Sequence, residues 1–300
     1  MTILVTGASG FIGTHVLRSL QGTGNAVHAA SARAAEYPAG VVGHAANLLA
    51  GEGTELIARI RPTHMLHLAW HVPPGKFWTA TENVRWLQVS LDLMQTFAAA
   101  GGRRWVGTGS CAEYDWSKGG VFRESDPTRP TTLYGACKSS LQITSQLLGE
   151  QLGLEVAWAR IFFPYGPGEP AARLVPTVIQ SLLADRQAAC TEGLQIRDFV
   201  FVEDLASALA ALLGSSCIGA VNLGSGIPVT VRHVVETIAD LIGKRELVKF
   251  GAIPARMDEP LEIVAGIGRL RSLGFEPKRS LEEGLGLTIK WWQSRLRGIR

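Results

Sequence analysis

The stretch MTILVTGASGFIG at residues 1–13 constrains the fold more than any other part of the chain. An apolar run, Ile3-Leu4-Val5, leads directly into Gly7, Gly10 and Gly13, and a helical pattern follows. Gly7 permits a tight turn, Gly10 lets a pyrophosphate approach where a Cβ would block it, and Gly13 lets the helix lie close to the strand. The free N–H groups and the dipole at the helix start then face negative charge. The glycine spacing alone fits a plain turn about as well. Its position directly after a buried strand favours dinucleotide binding.

The rest of the first half alternates short apolar runs (25–31, 40–45, 64–69, 103–108, 154–162) with helical patterns (11–22, 52–60, 79–101, 131–152). This alternation predicts an α/β fold, a doubly wound parallel sheet covered on both faces. Three prolines and two glycines fall within 164–170 and mark a loop. Beyond it the elements become shorter and mixed. The expected division is a dinucleotide-binding domain over 1–163 and a smaller mixed α/β substrate lobe over 164–300, with 199–224 packing back onto the first.

Composition narrows the function classes. A net charge of +3 over 300 residues gives no reason to expect a nucleic-acid partner. The four cysteines form no C-x-x-C pair, so reduced thiols, a cytoplasmic location and no metal are expected. The Gly-rich turn begins by residue 7, which leaves no room for a signal peptide before the first strand. The long uncharged stretch 207–231 is broken by glycines and Pro228, so no membrane partner is expected. His64 and His67 fall on opposite faces of a strand and do not converge on a metal.

Two further features bear on chemistry. The second strand, NAVHAASAR, places Ser31 where NAD-binding folds carry a carboxylate for the ribose, and Arg33 follows. A guanidinium can pair with a 2′-phosphate, so NADP(H) is the expected preference and NAD(H) is possible; the alternative is that Arg33 is a solvated loop residue. In YGACK, Tyr134 and Lys138 share one helix face. An ammonium near a phenol favours the phenolate, and such a tyrosine can exchange a proton with a sugar oxygen.

With these motifs in view, the chain resembles the extended short-chain dehydrogenase/reductases that modify nucleotide sugars. The segments that carry the resemblance are TGASGFIG (6–13), HLAW (67–70), GTGSCAEY (107–114), YGACK (134–138), RIFFPYGPG (160–168), RDFVFVEDLA (197–206) and ARMDEP (255–260). The resemblance implies a catalytic set of Ser110, Tyr134 and Lys138. It implies cofactor contacts from Phe11, Ile12, Leu68 and Ala69 beside the glycines, Ser31 and Arg33. It also implies a nucleotide-diphospho-sugar substrate, and a homodimer built on the long helices around 83–101 and 131–152. The third strand of the family ends in Asp-Leu near the adenine; here the pair is Asn47-Leu48, and an Asn carbonyl can accept the same hydrogen.

Within the family, dehydratases place Asp and Glu directly after the Ser/Thr. Here Cys111 and Ala112 stand there, which argues against dehydration. In an extended segment Glu113 would point away from Ser110. The missing second-strand carboxylate and a likeness in the C-terminal half favour NADPH-dependent reduction of a 4-keto-6-deoxy nucleotide sugar. A 4-epimerase with bound NAD is the alternative, and a non-catalytic sensor is the second. For the substrate, Arg173, Arg197 and Arg256 are candidates for the diphosphate. Phe163 stands in the linking motif, and Trp78 either lines a sugar or base pocket or packs a loop.

Overall fold

The computed structural model describes residues 1–254 and 260–297. In chain order it runs β1 (Thr2–Thr6), α1 (Phe11–Ser19), β2 (Ala26–Ser31), β3 (Val41–Ala45), α2 (Glu52–Ile60), β4 (His64–His67), α3 (Glu82–Ala99), β5 (Arg104–Ser110), β6 (Gly120–Phe122), α4 (Leu133–Leu152) and β7 (Glu155–Ile161). It continues through β8 (Phe163–Tyr165), α5 (Leu174–Leu183), β9 (Ala188–Ala189), β10 (Ile196–Arg197), β11 (Phe199–Phe201), α6 (Val202–Gly214) and β12 (Gly219–Leu223). The last elements are β13 (Val229–Thr230), α7 (Val231–Ile242), β14 (Val248–Lys249), β15 (Glu262–Ala265), α8 (Gly268–Ser272) and α9 (Leu281–Arg297).

Seven parallel strands form the main sheet in the order β12-β7-β5-β4-β1-β2-β3. The order reverses between β1 and β4, which opens a crevice at their carboxyl ends. Helices cover both faces, so the central strands are apolar nearly throughout, as a two-sided sheet requires. One core gathers Val5, Val16, Leu17 and Val106 with α6, and another gathers Leu4, Met65 and Trp105 with α2 and α3. A third, built by α5, α7 and α9, lies beyond residue 164.

Some expected elements shift. The helix expected from 79 starts at Glu82. A four-stranded sheet, β13-β10-β15-β6, gives no sequence signal, because its strands are two to four residues long. Among the described residues no helix is long and apolar enough to cross a membrane.

The opening turn has the form its glycines suggest. Gly7 takes φ 65°, and a Cβ there would lie 2.8 Å from the Ala69 amide nitrogen. A Cβ on Gly13 would lie 2.4 Å from the Gly7 carbonyl oxygen. The turn is therefore pressed against both its own helix and the end of β4.

Candidate active site

A cleft of about 650 Å³ opens at the crevice. Its wall includes Gly7, Gly10, Phe11, Ile12 and Gly13 from the first turn, Ser31 from the end of β2, and Asn47 and Leu48 after β3. Leu68 and Ala69 contribute from the end of β4, and Ser110, Tyr134 and Lys138 close the far side. Trp78, Phe163 and Arg173 line it as well. A dinucleotide fits this wall: the only neighbour a Cβ on Gly10 would press is the Gly7 carbonyl, at 3.1 Å, so that side chain would otherwise fill the cradle itself.

Helix α4 carries the Tyr–Lys pair. Thr132 caps it by accepting from the Gly135 N–H at 3.1 Å, and Gly153 ends it in the left-handed region. Tyr134 and Lys138 lie one turn apart, both buried. The Tyr134 ring stands edge-on to Phe77 and Trp78, at 4.8 and 5.8 Å between centroids. Burial raises its phenol above the ordinary range, and the hydrogen bond with the Ser110 hydroxyl works against that. Lys138 Nζ donates to the Thr108 carbonyl at 2.7 Å and sits 3.7 Å from the centre of the Trp70 ring. Desolvation brings Lys138 down to about 7, opposed by the negative charge of Glu113. Burial thus resists ionisation of this phenol, where the sequence suggests one already acidified by the lysine.

The turn after Ser110 departs from the extended segment the sequence suggests. Cys111–Glu113 forms a 3₁₀ turn, and the Ser110 side chain accepts from the Ala112 N–H at 3.2 Å. Glu113 folds back, fully buried, and accepts from the Ser110 N–H at 2.8 Å. It also accepts from Trp158 Nε1 and forms an ion pair with Arg160 Nε at 2.8 Å. Sequence reasoning missed this residue. Its signal is the G-x-G of β5: a Cβ on Gly109 would collide with the Glu113 carboxylate and Trp158, and one on Gly107 with the Trp158 ring.

His67 lies buried between the Thr6 and Ser90 hydroxyls at 2.8 and 2.9 Å, and desolvation lowers it to about 3. The Asn47 side chain already accepts from the Leu49 N–H at 3.2 Å, which leaves one lone pair on that oxygen. Arg173 pairs with buried Glu169 at 3.2 Å, and burial lifts the Glu169 carboxyl to about 7.

Two of the expected contacts are not among the residues lining the cleft. Arg33 is exposed and stands outside the residues lining the cleft, while Ser31 hydrogen-bonds Tyr37. Arg197 is buried beside Phe163 and donates to the Ile196 and Leu261 carbonyls at 2.8 and 3.2 Å. Arg256 lies outside the described residues.

Residues 3–224 match the model of the NAD dependent epimerase/dehydratase family. A UDP-glucose 4-epimerase of Streptomyces lividans is 30% identical over 311 residues, covering 92% of each chain. The UDP-glucose 4-epimerase of Thermus thermophilus, solved with NAD, is 25% identical with a TM-score of 0.85, covering 98% of this chain and 99% of that one. The UDP-glucose 4-epimerase of Thermotoga maritima, solved with UDP-glucose, shares the fold at 23% identity and a TM-score of 0.90, covering 99% and 100%. A switch-point cleft with a glycine turn on one side and a Ser, Tyr and Lys on the other accords with that match, and the chain belongs to the NAD dependent epimerase/dehydratase family.

Proposed function

We propose that the chain interconverts the C4 configuration of a nucleotide-diphospho-sugar, as a 4-epimerase, with NAD(H) held in the cleft. The observation that carries this reading is the meeting of Ser110, Tyr134 and Lys138 across the cleft from the glycine turn. Relatives named 4-epimerases over nearly the whole chain support it over a one-way reductase. The turn at 7–13 would hold the pyrophosphate, Ser31 a ribose hydroxyl and Lys138 the second ribose. When bound, the nicotinamide supplies a hydride acceptor and donor. The chain's own residues manage the proton. Tyr134 exchanges it with the sugar oxygen, Ser110 donates a hydrogen bond to that oxygen, and Lys138 holds positive charge close by.

Against dehydration, no free acid–base pair follows Ser110 among the described residues. Cys111 is a buried thiol raised to about 12, Ala112 has no acid group, and Glu113 is bound to Arg160. On the substrate side, Trp78, Phe163 and Arg173 are the proposed contacts, and Arg197 and Arg256 keep the diphosphate role only as proposals. The region 164–300 is proposed as the substrate lobe, with 199–224 counted with the sheet. A homodimer through α3 and α4 is proposed from the exposed Val84, Ile143 and Leu147 on those helices.

A second reading, reduction of a 4-keto-6-deoxy nucleotide sugar with NADPH, is favoured by one observation: no carboxylate lines the end of β2. Incubation with UDP-glucose and UDP-galactose and no added cofactor, followed by anion-exchange chromatography, separates the two. Interconversion at catalytic protein supports the epimerase. No interconversion, with stoichiometric NAD(P)H oxidation on a 4-ketosugar, supports the reductase.

A further inference from the structure

Glu113 is an unusual residue to bury at a strand end. A carboxylate in the interior costs several kcal/mol unless it is paired and hydrogen-bonded. The chain gives up side chains at Gly107 and Gly109 to make room for it and for Trp158, and supplies Arg160 to neutralise it. Arg160 is itself held by the Tyr114 hydroxyl at 3.1 Å and the Glu124 carbonyl at 3.3 Å, and Tyr114 donates to Asn222 at 2.7 Å. Ending a strand needs none of this.

The contacts around Ser110 show where the arrangement leads. Glu113 takes the Ser110 N–H, and the Ala112 N–H takes a lone pair of the Ser110 hydroxyl oxygen. That hydroxyl also hydrogen-bonds Tyr134, which lines the cleft beside it. The same turn abuts α4 beside the tyrosine: a Cβ on Gly135 would lie 2.3 Å from the Ala112 carbonyl oxygen. The groups whose charges act on Tyr134 are Glu113, Cys111 and Arg173, and Lys138 feels Glu113 and Cys137.

We infer that Glu113, braced by Arg160, is a positioning residue: by accepting the Ser110 N–H it fixes the 111–113 turn, aims the Ser110 hydroxyl at the reacting oxygen, and holds Tyr134 beside it. This inference rests on the oxidoreductase reading of the same cleft. The Glu113 carboxylate touches neither substrate nor cofactor in this role.

The test removes the charges together, so that no buried ion is left unpaired. Glu113→Gln with Arg160→Met keeps an acceptor for Ser110; Glu113→Leu with Arg160→Met does not. Both are compared with the unmodified chain by urea unfolding, by the exchange rate of the Ser110 amide in cofactor-free protein, and by kcat and KM on the nucleotide sugar that the unmodified chain turns over. In the Leu variant, Ser110 exchange should be at least tenfold faster and kcat at least tenfold lower, with KM and cofactor Kd within about twofold. The Gln variant should recover both to within about threefold. The inference is overturned if both folded variants keep the unmodified kcat, if both lose it equally, or if Ser110 exchange is the same in all three. If the unmodified chain turns over no nucleotide sugar, the functional reading falls, while amide exchange still decides whether Glu113 holds Ser110.

Discussion

Lys138 offers the sharpest energetic test, because its environment disfavours the charge that its proposed role needs. Its ammonium is buried, and desolvation brings it from 10.5 to about 7. In the unfolded chain it carries a proton throughout that interval; in the folded chain it does not. The unfolded state binds more protons between pH 7 and 10.5, so stability rises with pH in this window and the penalty is constant below it. At 1.36 kcal/mol per unit, the penalty near pH 7 is about 4 kcal/mol. Lys138→Met keeps the length and removes the penalty, but leaves the Thr108 carbonyl without this donor, a loss of about 1–2 kcal/mol. The cofactor-free variant should therefore be more stable than the unmodified chain by roughly 2–3 kcal/mol at pH 7. From pH 7 to 8.5 the unmodified chain should gain about 1.5 kcal/mol and the variant little. The Glu169 carboxyl, at about 7, still loses its proton at the lower edge of that window and takes back roughly a few tenths of a kcal/mol in both proteins; His67, at about 3, titrates below it, and above it the buried thiols and phenols reverse the slope. Urea unfolding at constant m-value measures the difference. A flat profile for the unmodified chain, together with a less stable variant, would refute the argument that desolvation dominates at Lys138.

Tyr134→Phe should lower turnover by roughly 10²–10⁴-fold, with cofactor affinity measured by calorimetry nearly unchanged; equal loss of both would make Tyr134 a folding residue. Gly13→Ala forces a methyl into the Gly7 carbonyl at 2.4 Å and should cost roughly 1–3 kcal/mol by urea unfolding, along with weakened dinucleotide binding. Adding NAD against NADP in a thermal-shift assay should give the larger rise with NAD, since Arg33 stands outside the cleft wall; a larger rise with NADP would restore the guanidinium to the ribose site. Ile143→Lys with Leu147→Glu, on the exposed face of α4, should halve the mass seen by light scattering if that face joins two copies, and leave it unchanged otherwise.

The sheet was legible because its long strands are apolar runs alternating with helical patterns, and the first is marked again by the glycine turn that follows it. Tyr134 and Lys138 were legible for a similar reason: four residues apart on a long helix, they must share a face. Glu113 was not, because an extended backbone after Ser110 would point it away. The hydrogen bond from Ala112 to Ser110 curls the chain into a 3₁₀ turn, and one tight turn reverses the side on which a residue lies. The place of Arg33 was not legible, because sequence distance from the glycines does not fix where a loop side chain goes; the Ser31–Tyr37 hydrogen bond holds the strand end while Arg33 faces water. The small second sheet was silent because pairs of two residues carry no periodicity.

The indole of Trp158 occupies volume that β5 surrenders at two positions, so neighbouring strands are fitted as plug and socket. Bulk cannot be added to one strand unless it is taken from the other. A methyl at 107, which meets the Trp158 ring first, is harmful alone but should become tolerable once the residue at 158 shrinks, so the paired change departs strongly from the sum of its parts. Anyone redesigning this site, or transplanting its serine onto another sheet, must therefore move both strands together.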